Sequence, residues 1–135
     1  MRVWFSCSII FELWIISKAE CMIQTMRPFK HPPVSDFNLE RVLYALSDPV
    51  RLEVVQRLAE VVEASCGDLD GGRPKSSMSH HFRVLRDAGL VCTKSVGTTH
   101  MNSLRRTELD ERFPGLLTAI LAQRSAVTKK SNDPD

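Results

Sequence analysis

The chain has 135 residues, of which 25% are charged and 43% are hydrophobic, with a formal net charge of +2 at pH 7. This length allows one compact domain with a substantial core and is short for two. The composition is that of a globular protein and excludes a disordered chain. Because the net charge is close to zero, only the distribution of charge along the chain can indicate a partner.

The N-terminal segment is apolar, unlike the rest of the chain. Residues 3 to 16 read VWFSCSIIFELWII, but this run is shorter than the roughly 20 residues of a membrane span, and Glu12 interrupts it. Only Arg2 precedes it and no small-x-small cleavage site follows, which argues against a secretion signal. Three interpretations stay open: a start codon assigned too far upstream, with the chain beginning at Met22 or Met26; an extra helix packed on the domain or on a partner; or a membrane anchor.

A proline-rich stretch separates this segment from the regular pattern that follows. RPFKHPP, residues 27 to 33, is predicted to be a linker. We therefore assign residues 1–33 to an N-terminal extension and linker, and residues 34–127 to a folded domain. Residues 128–135 are polar and are predicted to be a disordered tail.

Two amphipathic helices are predicted at the start of the domain. Asp36 is the predicted cap of the first helix, whose apolar face carries Leu39, Val42, Leu43 and Leu46. The second begins at SDP, with Asp48 as cap and Pro49 at the first helical position, where its missing N–H costs nothing. Its apolar stripe consists of Val50, Val54, Leu58 and Val62. CGDLDGG, residues 66 to 72, holds at most a short helical turn before the glycines.

The stretch PKSSMSHHFRVLRDAGLV, residues 74 to 91, predicts a helix with a buried and a polar face. At about 100° per residue, the buried side carries Met78, Phe82, Leu85 and Ala88, with His81 beside them. The opposite side carries Ser76, His80, Arg83 and Asp87, with Ser79 and Arg86 on the flank. Gly89 is predicted to end the helix, since glycine accepts the left-handed conformation.

A β-hairpin and a final helix complete the pattern. LVCTKSV and THMNSLR are two β-prone runs joined around Gly97. In TELDERFPGLLTAILAQ, Thr107 and Asp110 form a predicted capping box at the start of the last helix. Pro114 is expected to bend or divide that helix.

Charge is distributed unevenly over these elements. Residues 36 to 70 contain eight acidic and three basic residues, whereas residues 73 to 106 contain seven basic residues and only Asp87 as an acid. A stretch of one sign is typical of a nucleic-acid contact, although a solvated basic face is the alternative. The order of elements predicts a mainly α fold with a small β-hairpin, the winged helix-turn-helix, whose basic helix fits a major groove about 12 Å wide.

The predicted DNA-binding residues lie on the basic helix and the hairpin. The serines are short donors for phosphates or base edges, Arg83 can reach guanine O6 and N7, and the hairpin tip would lie along an adjacent groove or backbone. The full set is Lys75, Ser76, Ser77, Ser79, His80, Arg83, Lys94, Thr98, Thr99 and His100.

LSDPVRLEVVQRL, CGDL and SSMSHHFRVLRDAGLV, followed by the hairpin, closely resemble the ArsR/SmtB family of bacterial winged-helix repressors over roughly residues 38 to 122. The resemblance implies a homodimer that binds double-stranded DNA at an inverted-repeat operator. It places Ser77, Ser79, His80 and Arg83 on the DNA-reading helix, and the first and last helices in the dimer interface. The wide spacing of the four cysteines predicts reduced thiols and a cytoplasmic protein.

The chain departs from the metal-sensing members of that family. Those members carry paired cysteines in the stretch equivalent to residues 64 to 70, or acidic and histidine ligands on the last helix. Here the first position offers only Cys66, and residues 107 to 123 contain neither histidine nor cysteine. We therefore expect no metal or other cofactor, although Cys66 and Cys92 combined in a metal- or redox-responsive site stay an alternative.

An enzyme is not expected. Ser79 and His80 are neighbours on one helix and point about 100° apart, so they cannot pair as nucleophile and base. The glycine pair Gly71–Gly72 lacks the strand and lysine of a phosphate-binding loop. The competing hypothesis is a winged helix whose basic face binds an acidic protein instead of DNA.

Overall fold

The computed structural model describes residues 29–131, with side chains described as far as Ala126. The apolar run at residues 3–16 and the last four residues of the chain lie outside this range. After a 3₁₀ turn at Val34–Asp36, the helices are α1 Leu39–Leu46, α2 Pro49–Glu60, α3 Cys66–Leu69, α4 Lys75–Asp87, α5 Arg106–Arg112 and α6 Leu116–Ser131. The strands are β1 Ala64–Ser65, β2 Val91–Val96 and β3 Thr99–Leu104. Helix α6 thus continues past residue 128, where a disordered tail was predicted.

The predicted fold class is confirmed, with one added strand. Strands β2 and β3 form an antiparallel hairpin in which Val91 lies opposite Leu104 and Val96 opposite Thr99. The two-residue β1 pairs with β3 on its other side, so the sheet order is β1-β3-β2. A strand this short carries no alternating pattern, which is why the sequence did not indicate it. Strand β2 is therefore an edge strand.

The core lies between the helices and the base of the hairpin. Its fully buried side chains come from α1, α2, α3, α4, β2 and the connection between α4 and β2, and include Val42, Val54, Val55, Leu58, Leu69, Leu85, Leu90 and Val91. Leu109 of α5 and Leu117 of α6 are also buried in this core. Within residues 29–131, no helix combines the length and the apolarity needed to cross a bilayer.

Two of the predicted helix caps are wrong. Helix α1 is capped by Asn38, whose side chain accepts a hydrogen bond from the Arg41 N–H at 3.1 Å, because Asp36 is part of the preceding 3₁₀ turn. Helix α5 begins one residue before Thr107 and has no side-chain cap. By contrast, Asp48 caps α2 as predicted, accepting from the N–H groups of Val50 at 2.9 Å and Arg51 at 3.0 Å.

A proline and a glycine mark two further helix boundaries, as predicted. Pro114 divides the last helical stretch into α5 and α6. Gly89 follows α4 with a φ of 82°, and a Cβ at this position would overlap the buried Phe37 ring. Val62, predicted to continue the stripe of α2, lies beyond the end of that helix and is exposed.

Candidate nucleic-acid interface

Helix α4 is fixed to the domain through its inner face. Its buried side chains are Met78, Phe82 and Leu85. Ahead of its first turn, Arg73 donates to a carboxylate oxygen of Glu53 on α2 at 2.8 Å. Along its flank, the His81 Nδ1 atom lies 3.7 Å from an Asp48 carboxylate oxygen. The orientation of α4 therefore depends mainly on apolar packing, with two contacts to α2 beside it.

Asp48 serves both as the cap of α2 and as the neighbour of His81. Burial acts to raise the pKa of Asp48, but the backbone N–H and the guanidinium of Arg51 and the nearby His81 outweigh that effect and hold it below its usual value. The carboxylate is therefore ionised at neutral pH, where it keeps α2 capped at the point where α4 packs.

The outer face of α4 carries exposed polar side chains. Its exposed side chains are Lys75, Ser76, Ser77, Ser79, His80, Arg83 and Asp87. Arg83 lies 3.8 Å from Asp87, with 76% and 62% of their side chains exposed. An ion pair that is this exposed contributes little to stability, and the guanidinium can turn toward another acceptor. A helix of 13 residues is about 20 Å long, which suits a major groove.

The first turn of α4 offers backbone donors. Its N-cap position is Pro74, and no side chain caps the helix. The first-turn N–H groups therefore face solvent and are suited to a phosphate oxygen. The hydroxyls of Ser77 and Ser79 donate to the carbonyl oxygens of Pro74 at 3.0 Å and Lys75 at 2.8 Å, so each would have to rotate to donate to a ligand. Ser76 has no such internal hydrogen bond within residues 29–131.

The β2–β3 hairpin, which we call the wing, presents a small polar tip. Val96, Gly97, Thr98, Thr99 and His100 are exposed, and Gly97 takes a φ of 62° in the two-residue turn. The His100 Nδ1 atom lies 3.3 Å from the Ser95 hydroxyl. The wing tip carries no arginine or lysine, so its contribution to binding would come from hydroxyl and imidazole groups.

The structure brings only part of the basic stretch to the surface. Lys94 is half-buried and its Nζ lies 2.7 Å from a Glu63 carboxylate oxygen, so one predicted phosphate contact is already paired within the chain. Arg105 is buried and donates to both carboxylate oxygens of Glu108 at 2.6 and 2.9 Å. Burial lowers the pKa of Arg86, which is half-exposed and packs against Phe29. The exposed cations of this stretch are Lys75, Arg83 and Arg106, and the last two are only loosely paired, with Asp87 at 3.8 Å and Asp110 at 3.9 Å.

The two cysteines considered for a sensing site are not joined to each other. Cys66 is a free, half-buried thiol whose Sγ accepts a hydrogen bond from Asn102 Nδ2 at 3.2 Å, whereas Cys92 is buried and disulfide-bonded. The described part of the chain holds no group of three or more histidine, cysteine or acidic side chains suited to a metal ion. Asn102 was missed by the sequence analysis; it is fully buried and also accepts from the Thr93 hydroxyl at 2.7 Å.

Comparison with known proteins identifies the same part of the chain. Residues 46–92, which run from the end of α1 to the start of β2, match a family described as a helix-turn-helix domain. The chain is 34% identical over 83 residues to the uncharacterized HTH-type transcriptional regulator YceK of Bacillus subtilis (strain 168), covering 59% of this chain and 83% of that protein.

A second regulator and a solved structure agree with this match. The chain is 36% identical over 73 residues to the arsenical resistance operon repressor of Staphylococcus xylosus, covering 53% of this chain and 70% of that protein. The crystal structure of the transcriptional repressor BigR from Xylella fastidiosa is similar, with a TM-score of 0.51 at 29% identity over 62% of this chain and 83% of that chain. Because these similarities extend over most of each relative and include the fold, the chain belongs to the ArsR/SmtB-type winged helix-turn-helix family of DNA-binding transcriptional regulators.

Proposed function

We propose that this chain is a cytoplasmic repressor that binds an inverted-repeat operator as a homodimer, with α4 in the major groove and the wing along the adjacent backbone. The observation that carries the proposal is the division of α4 into two faces. Its inner face is buried in the core, so the helix is rigid, while Lys75, Ser76, His80 and Arg83 are exposed together on the other side. Rigid presentation of several donors is what base recognition requires.

Different residues of this face are proposed for different contacts. Arg83, about two turns into the helix, is the candidate for a bidentate contact to a guanine, with His80 beside it. Lys75, the serines Ser76, Ser77 and Ser79, and the uncapped first turn of α4 suit phosphate oxygens. At the wing, Thr98, Thr99 and His100 suit backbone contacts, and Lys94 would first have to leave its ion pair with Glu63.

The proposed dimer surface lies on α1, with α6 beside it. Leu39 and Leu43, one helical turn apart, are 42% and 45% exposed, and Tyr44 is 63% exposed. Apolar side chains grouped in this way on a small domain are typical of an interface. A two-fold axis at this surface would present two copies of α4 to successive major grooves about 34 Å apart, which is the spacing of an inverted repeat.

Selection of bound sequences from random duplexes tests the proposal. We expect enrichment of a two-fold symmetric sequence whose half-sites lie about ten base pairs apart, and sedimentation of two chains with each duplex. Binding should weaken steeply as salt rises, because phosphate contacts release counterions. If no sequence is enriched and binding is insensitive to salt, the proposal is wrong and an acidic protein becomes the favoured partner.

A further inference from the structure

Residues 29–33, which we call the strap, lie across the wing and α4. Phe29 contacts both of them. The guanidinium carbon of Arg86 on α4 lies 4.4 Å from the centre of the Phe29 ring. The His100 ring on β3 packs edge-on against the same ring, with 5.0 Å between ring centres. The stretch predicted to be a linker is therefore packed on the predicted DNA-binding surface.

His31 joins the strap to the edge of the sheet. Its Nε2 atom accepts a hydrogen bond from the Thr93 backbone N–H at 2.9 Å. Because β2 is an edge strand, this N–H would otherwise have no partner in the sheet. One residue further on, the carbonyl oxygen of Pro32 accepts from Arg105 Nη1 at 2.8 Å, and the ion pair with Glu108 holds Arg105 in place. The strap is thus attached at three points.

The hydrogen bond to Thr93 requires a neutral imidazole. Since Nε2 is the acceptor, the proton of the neutral ring lies on Nδ1, and the carbonyl oxygen of Phe29 is available to receive it. Burial, and then the charges of Arg105 and Arg86, lower the pKa of His31, opposed by Glu108 and by the hydrogen bond to Phe29. The cleft beside the ring adds Lys30, Arg41 and Asp87. Cations outnumber acids around His31, so the neutral form is favoured.

We propose that the strap positions the wing relative to α4 for DNA binding, and that His31 maintains this position only while its ring is neutral. The inference rests on the proposed function, in which α4 and the wing contact the same duplex. A hairpin of two six-residue strands has little stability by itself. A strap that orders the wing before DNA arrives reduces the entropy lost on binding. Protonation converts Nε2 into a donor facing the Thr93 N–H donor, so the strap loses this attachment.

The test compares three variants of the full chain with the unaltered protein on the selected operator. His31→Ala removes the acceptor, whereas His31→Gln retains one, because the glutamine Oε1 reaches about as far as Nε2 and does not titrate. At pH 8 we expect His31→Ala to bind about ten- to hundredfold more weakly, because each of the two protomers loses one hydrogen bond worth about three- to tenfold, and His31→Gln to bind like the unaltered protein. Phe29→Leu, which removes the ring contacts, should weaken binding to a similar extent.

Two further measurements separate positioning from general loss of structure. Hydroxyl-radical footprints of His31→Ala should lose protection of the flanking backbone under the wing and keep protection of the central half-sites. As pH falls from 8 through the lowered pKa of His31, the unaltered protein should progressively lose affinity relative to His31→Gln, and the loss should approach the factor that His31→Ala loses at pH 8. All other side chains are the same in the two proteins, so their contributions cancel from this ratio of affinities.

Each result decides between two conclusions. If His31→Ala has the footprint and the affinity of the unaltered protein, the strap does not position the wing. If the operator affinities of the unaltered protein and His31→Gln keep a constant ratio as pH changes, protonation of His31 plays no role. If His31→Ala does not fold, the comparison of His31→Gln and Phe29→Leu with the unaltered protein decides both points. If the unaltered protein selects no operator, the proposed function is wrong and the inference is wrong with it. If the unaltered protein binds an operator and all three variants bind it equally well, only the inference is wrong.

Discussion

Replacing Arg83 with alanine should weaken operator binding strongly and leave folding almost unchanged. The side chain is 76% exposed and its one ion pair, with Asp87 at 3.8 Å, is open to solvent, so its loss should change the free energy of unfolding by less than about 1 kcal/mol. A bidentate contact to guanine is worth about 1 to 3 kcal/mol, and a dimer makes two of them. We therefore expect a loss of about 2 to 6 kcal/mol on the operator, or about 30-fold at least.

The assay is a titration of the operator and of a random duplex of equal length at the same salt concentration. Asp87→Asn is the matched control, because it breaks the same ion pair but keeps the guanidinium and removes a negative charge. It should bind the operator at least as tightly as the unaltered protein. Equal losses on operator and random DNA for Arg83→Ala would move Arg83 to the phosphate contacts. No loss on either duplex would refute the placement of this face of α4 in the groove.

Three further changes test the electrostatics and the packing around this site. Glu63→Gln should release Lys94 and raise the affinity for all duplexes about two- to fivefold, with a steeper salt dependence in a titration across salt concentrations. Gly89→Ala should lower the free energy of unfolding by about 2 to 4 kcal/mol in urea, because it combines a positive φ with overlap on Phe37; a loss below about 0.5 kcal/mol would contradict the geometry. Asp48→Ala should lower the free energy of unfolding by about 0.5 to 2 kcal/mol at pH 7, and Asp48→Asn should lower it much less, since asparagine can also cap a helix. Because the pKa of Asp48 is lowered in the folded state, its ionised carboxylate stabilises the fold at pH values above the usual aspartate pKa of about 3.9, and this stability is lost as the pH falls below that value. In urea titrations between pH 5 and 3, the free energy of unfolding of Asp48→Asn should therefore fall less than that of the unaltered protein.

The architecture was predictable because its signals are local. Met78, Phe82 and Leu85 recur at helical spacing, and they are the residues of α4 that the structure buries. Asp48 followed by proline marked the start of α2, and Gly89 and Gly97 marked the ends of α4 and β2 with the positive φ angles they adopt. Each of these features depends on residues within one or two turns of each other.

The charge of the candidate binding surface was only partly predictable because ion pairs join residues distant in sequence. Lys94 is paired with Glu63, and Arg73 with Glu53, so a count of bases along residues 73–106 overstates the charge available to DNA. The caps of α1 and α5 were mistaken for a related reason. Several polar residues near a helix start can serve as caps, and the backbone conformation decides among them.

The packing of the strap could not be predicted from the sequence, because its contacts join residues that are distant along the chain. His31 and Thr93 are 62 positions apart in the chain, and nothing in the pattern RPFKHPP distinguishes a packed segment from a free linker. Pairing with β1 also depends on the fold, since a two-residue strand has no pattern of its own. Contacts of this kind follow from the tertiary structure and cannot be read from periodicity.

Guanine methylation interference on the selected operator tests most directly whether α4 reads bases in the major groove. Methylation at N7 alters the major-groove edge of a guanine that Arg83 would contact. We expect methylation of one guanine in each half-site to block binding of the unaltered protein, and this interference to disappear for Arg83→Ala while other positions keep theirs. Interference that is absent from major-groove guanines, or identical for the two proteins, would contradict base recognition by the outer face of α4.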